Sequence, residues 1–202
     1  VNTTVQCLTV RIASKRAAGF FERPRLLNLY GLLVKPTRVA KRSDPDSRKL
    51  PFLECLWMAA YAVLVRTTVR RAESNIWTSV DGCSGDVTLF DAVVELSPCE
   101  KTVDFLPPGL DETAAAAAAR AGLQKHILRR RGQINKPVIE GVDQILLYYY
   151  PVWVYYYRRR RRYIDIKVLD AVTGKPAGAK VRVGVLNALV ASRRGAECRL
   201  EE

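Results

Sequence analysis

Residues 145 to 162 read Ile-Leu-Leu-Tyr-Tyr-Tyr-Pro-Val-Trp-Val-Tyr-Tyr-Tyr, followed by five arginines, Arg158 to Arg162. Read as a strand, the segment puts Ile145, Leu147, Tyr149, Pro151, Trp153, Tyr155 and Tyr157 on one face. Leu146, Tyr148, Tyr150, Val152, Val154 and Tyr156 lie on the other. Neither face is polar, so neither is an ordinary solvated sheet face. One is expected to meet a helix; the other needs a second module, a partner or a ligand. Pro151 cannot donate a ladder hydrogen bond and predicts a bulge, a break or an edge position. Beyond the arginine turn, Ile164, Ile166 and Val168 alternate with Asp165 and Lys167, the period of a half-buried strand.

The same order of landmarks occurs twice. In the second half, Pro107-Pro108-Gly109 precedes Asp111, an N-cap for a helix over 112–130 whose alanine run has high helix propensity. Lys136-Pro137, the Tyr/Trp strand, the arginine turn and Tyr163 to Leu169 follow. Asp170-Ala171-Val172-Thr173-Gly174 then makes a turn before a last strand over about 179–189. In the first half, a helical region follows Ser14, breaks at Pro24 and resumes through Leu33, and Lys35-Pro36 comes next. An apolar segment, Phe52 to Val65, carries Trp57 in the place of Trp153. A basic turn, Arg70-Arg71-Ala72-Glu73-Ser74-Asn75, leads to Ile76 to Val80, then Asp81-Gly82-Cys83-Ser84-Gly85 and a strand from Val87 to Leu96. The expectation is an α+β protein of two tandem modules, 1–106 and 107–202, each a helix packed on an antiparallel β-sheet. A buried helix over Phe52 to Arg66 is the competing reading, since Leu, Met and Ala favour helix.

The Asp-x-x-Ser/Thr-Gly pattern reads as a turn: the carboxylate takes backbone N–H groups and glycine supplies positive φ. Trp153, Tyr163 and Asp170 to Gly174, with Trp57 and Asp81 to Gly85, resemble PepSY-type and broader cystatin-like domains. The resemblance implies non-catalytic modules that bind or restrain other proteins, often outside the cytoplasm.

A net charge of +13 predicts an anionic partner or a basic, soluble surface. The excess of arginine over lysine fits a thermophilic or GC-rich source. No secretion leader is visible from Val1 to Arg11, and a cytoplasmic location is expected. Five scattered cysteines and one histidine, His126, make a zinc site improbable, and no cofactor is expected. Free thiols are the first reading and a Cys83–Cys99 bridge the alternative. There is no phosphate loop, nucleophile elbow or His-containing metal motif, so no enzyme is expected.

The candidate binding residues are Tyr148, Tyr150, Tyr155, Tyr156, Tyr157 and Arg158, Arg159, Arg160, Arg161, Arg162, with Arg129, Arg130 and Arg131 extending the patch. The first expectation is protein binding or assembly, including a homodimer. The alternative is nucleic acid, with bases stacked on tyrosine and phosphates held by arginine. An anionic membrane surface is a third partner for tyrosine beside arginine.

Overall fold

A computed structural model describes residues 5–22, 40–41, 50–91, 95–99, 105–129, 135–159 and 163–198. In chain order the elements are β1 (Gln6–Cys7), α1 (Ser14–Glu22), β2 (Ala40–Lys41), β3 (Phe52–Val69), β4 (Ala72–Asp81) and β5 (Val87–Leu89). They continue with β6 (Ser97–Pro98), β7 (Phe105–Leu106), α2 (Glu112–Arg129), β8 (Val138–Arg159), β9 (Tyr163–Asp170) and α3 (Ala179–Cys198). The fold is α+β, built on one mixed, mostly antiparallel sheet.

The two long strands, β3 and β8, pair antiparallel from Phe52↔Tyr156 to Thr68↔Val138. Each turns back on its outer side, β3 into β4 and β8 into β9, so the two hairpins point in opposite directions. Phe52 to Val65 is therefore strand, not helix. Tyr61, Val63 and Val65 face α2, while Leu56 and Met58 face α3, so both faces are buried and the sequence reads as continuously apolar. The short strand β1 lies parallel to β8 at Gln6↔Tyr148, and β7 lies parallel to β3 at Trp57↔Phe105.

Asp81 and Asp170, the last residues of β4 and β9, hold the turns that follow the two hairpins with the same bonds. Asp81 Oδ1 accepts the N–H groups of Cys83 and Ser84; Asp170 Oδ1 accepts those of Val172 and Thr173. Gly85 and Gly174 follow at φ 71° and 73°, a region that glycine enters freely. The Gly82 carbonyl then receives Gly109 and Leu110 N–H, and the Ala171 carbonyl receives Arg11 and Ile12 N–H. These bonds seat the chain entering α2 on the first hairpin and the chain entering α1 on the second. Helix and hairpin are thus matched crosswise, not within each half as the sequence order suggested. Ala17 of α1 packs with Leu53 and Leu169, and Ala115, Ala119, Leu123 and Ile127 of α2 pack on β3 and β4.

Asp111 caps α2, accepting Ala114 N–H at 2.7 Å. Three expectations need correction. The last strand, 179–189, is the helix α3: Val181, Val183 and Val185 alternate like a strand, but Val185 and Ala188, three apart, are the side chains that reach the core. The strand expected over Val87 to Leu96 stops at Leu89. Trp57 does not occupy the place of Trp153. Trp153 Nε1 donates to Ile12 O at 2.7 Å, and the matching bond on the other hairpin is Tyr61 Oη to Leu110 O, also 2.7 Å. The helix expected to resume beyond Pro24, and Lys35-Pro36, lie outside the described residues.

Pro151 sits mid-strand without a bulge. Its carbonyl accepts Ala171 N–H, so its ring nitrogen faces the same side, where β1 ends beside Tyr149 and β9 ends beside Val152. The break expected at Pro151 is in the neighbouring strand. Cys7 and Cys99 form a disulfide that ties β1 to the end of β6, in place of the Cys83–Cys99 pairing considered above; Cys55 and Cys83 are free.

Candidate functional site

The tyrosines of β8 divide between the two sheet faces because strand side chains alternate. On the α3 side, Tyr148 is buried, stacks on Phe90 at 4.9 Å and shares a 2.7 Å hydrogen bond with Ser79 Oγ. Tyr150 donates to Asp81 Oδ2 at 2.8 Å, so one carboxylate holds both the turn and the strand. Tyr156 stacks on Phe52 and donates to Glu54. On the opposite face, Tyr155 stacks on Phe21 of α1 at 5.0 Å, and Tyr157 donates to Asp165 Oδ2 at 3.1 Å. Lys167 Nζ lies 5.1 Å from the Tyr157 ring centroid. All five tyrosines are committed to partners within the chain.

Burial pushes the Tyr148 hydroxyl up to about 12, partly opposed by its bond to Ser79. Tyr150 is pushed up further by burial and by the negative charge of Asp81. A tyrosine whose folded pKa is raised loses its proton first in the unfolded chain. Its contribution is therefore complete below pH 10 and disappears as the pH rises from 10 through 12. For Tyr148 the linkage is on the order of 3 kcal/mol. Unfolding midpoints in denaturant are expected to hold to about pH 10 and then fall, while absorbance at 295 nm shows a tyrosine class ionising later than the rest. One common step near pH 10 would rule this out.

The arginines are placed differently. Arg158 is exposed and pairs in register with Ile164, and the backbone of Arg159 pairs with Tyr163. Ile164 and Tyr163 are 64% and 67% exposed, the most exposed large apolar side chains among the described residues. Arg160, Arg161 and Arg162, which join β8 to β9, lie outside the described residues, as do Arg130 and Arg131. Arg129 does not extend this patch. It ends α2, where Ile127 and Leu128 border a groove with Lys136, Pro137 and Val138, at the beginning of β8. Arg158 is near the other end of that strand, roughly 60 Å away at the usual rise per residue.

A feature of the first hairpin was named in the sequence as a basic turn but not as a site. Arg70 and Arg71 are the whole turn between Val69 and Ala72, both exposed, with φ of 48° and 70°. Two-residue hairpin turns of this hand favour Asn-Gly, so an arginine pair there is a departure that the sequence already displays. Among the described residues, no three His, Cys, Asp or Glu side chains are grouped to hold a metal ion, and no helix is long and apolar enough to cross a membrane.

No protein-family model matches the chain, and neither a curated protein nor a solved structure resembles it significantly.

Proposed function

We propose that the protein is a non-catalytic nucleic-acid-binding protein that grips the phosphate backbone with the tip of the β8–β9 hairpin. The observation that carries this reading is the contrast along one strand. Its tyrosines are spent on internal contacts, whereas its end presents exposed Arg158 beside exposed Tyr163 and Ile164, with three further arginines in the connecting sequence. With the β8 rings engaged, base stacking on them is lost, and what remains is arginine for phosphate, a contact without sequence preference. Fluorescence anisotropy with a labelled duplex across a salt series tests it, and salt-independent or absent binding overturns it.

We infer also that the two halves, 1–106 and 107–202, arose by tandem duplication with their helices exchanged. The matched Asp81 and Asp170 turns, the Gly85 and Gly174 conformations and the Tyr61 and Trp153 bonds support this.

Assembly through a protein partner, or through a second copy, is the second reading, favoured by α3. Its outer side exposes Val183 and Val190, 49% and 51% accessible, next to a groove that reaches Cys83 and Ser84. A helix with apolar residues on both its inner and outer faces is a common place for a partner. Sedimentation velocity over a hundredfold concentration range is expected to show association weakened by Val183→Ser with Val190→Ser; a monomer throughout would exclude self-assembly.

A further inference from the structure

We propose that the Arg70–Arg71 turn is a second phosphate-binding tip, and that the protein bridges two duplex segments, one at each end of its sheet. This rests on the nucleic-acid reading of the β8–β9 tip and extends it to a site at the opposite end of the molecule. Two independent observations carry it.

The first is conformational. Both turn residues occupy the left-handed region, at φ 48° and 70°, where a side chain with a Cβ is disfavoured and glycine or asparagine is the usual choice. Nothing in the hairpin's own packing compensates: both arginines are exposed, and the residues that follow, Ala72 and Glu73, are exposed as well. A local rule broken at an exposed turn without a packing gain points to a use outside the fold.

The second is placement. Thr68 pairs with Val138 at one end of the β3–β8 ladder, and Arg159 pairs with Tyr163 at the other end of β8. The Arg70–Arg71 turn and the Arg159–Tyr163 end of the second hairpin therefore lie at opposite ends of one continuous strand pair, roughly 60 Å apart. Exposed Arg129 and Lys136 share the first end, while Arg66 there is committed to Asp143 at 3.6 Å. With the two hairpin ends at opposite ends of the sheet, a duplex met end-on by one is turned away from the other, and each can meet its own. Because the contacts are to phosphate, bridging would be independent of sequence and strongly weakened by salt.

The test uses two 40-base-pair DNA duplexes carrying a donor and an acceptor dye, with the full chain at low salt. Wild-type protein is expected to bring them together, giving energy transfer that disappears as salt is raised. Arg70→Asn with Arg71→Gly replaces the pair by the residues the turn favours, so the melting midpoint should hold or rise by a few degrees. That variant is expected to keep binding a single duplex within about threefold and to lose most of the energy transfer. Transfer equal to wild type overturns the second tip and leaves the first standing, and so does bridging that only tracks self-association in sedimentation. If wild type fails to bind even one duplex, the underlying reading falls and the inference with it.

Discussion

Replacing Arg158, Arg159, Arg160, Arg161 and Arg162 with serine is expected to weaken binding to a duplex by a hundredfold or more at low ionic strength. Each arginine that neutralises a phosphate releases counterions and adds about 0.9 to the slope of log affinity against log salt. Five such contacts would flatten that slope by about 4 to 5 when removed. The described fold has little stake in the Arg158 side chain. Arg158 is exposed, and the apolar residues that anchor the hairpin, Val154, Ile166 and Val168, lie further back beneath α3. Changes at such positions are commonly within about 0.5 kcal/mol. The melting curve should therefore stay in place while the salt slope falls. The same series with anionic vesicles separates nucleic acid from a lipid surface, since a protein that prefers vesicles to duplex contradicts the proposal. An unchanged slope in the variant would mean that the phosphates are held elsewhere.

The contrast between Tyr148 and Arg158 also shows where sequence reasoning stops. Alternation told that β8 had two apolar faces, and Asp111 and Asp170 announced a helix start and a turn through local chemistry. These features depend on neighbours in the chain, so a single sequence exposes them. What covered each face depended on contacts across the sheet. Tyr148 meets Phe90, and Tyr155 meets Phe21, residues 58 and 134 positions away. Phe52 to Arg66 stayed open between strand and helix for the same reason, because a strand buried on both faces loses the alternation that would identify it. Val181, Val183 and Val185 misled in the opposite sense: they mimic a strand's period, but the buried pair Val185 and Ala188 follows a helix. The Tyr61–Leu110 and Trp153–Ile12 bonds join different residue types in the same role, and two tryptophans drew attention to the wrong pairing. The functional candidates were only half legible. Arginine at a hairpin tip is visible in sequence, whereas the separation of Arg129 from Arg158 exists only once β8 is seen as one uninterrupted strand.

Loss of the Cys7–Cys99 disulfide is expected to be the largest single blow to stability. The bond spans 92 positions, and the chain-entropy estimate for a loop of that size is about 4 to 5 kcal/mol, with about 2 to 4 more usual in practice. The elements it joins are short: β1 and β6 are two residues each, tied to one another by a short ladder and the Cys99 N–H to Val5 carbonyl bond, while β1 alone also pairs with β8 and buries Leu8. From β1 the chain runs directly to the Arg11 and Ile12 bonds on Ala171 and to the Ile12 carbonyl that holds Trp153. Loosening β1 therefore loosens the seat of α1 on the second hairpin. Cys7→Ser with Cys99→Ser, or dithiothreitol on the wild type, should lower the melting midpoint by about 5 to 12 °C. Tryptophan fluorescence, to which Trp57, Trp77 and Trp153 all contribute, should lose its native signal at lower denaturant concentration. Reductant should do nothing further to the double variant, which separates this bond from the free thiols. Cys55 serves as the internal check, since burial pushes its thiol up to about 12 and keeps it un-ionised near neutral pH. A wild-type midpoint indifferent to reductant would show that β1 is held by its ladder and packing alone, and the crosswise seating of α1 would then owe nothing to the covalent bond.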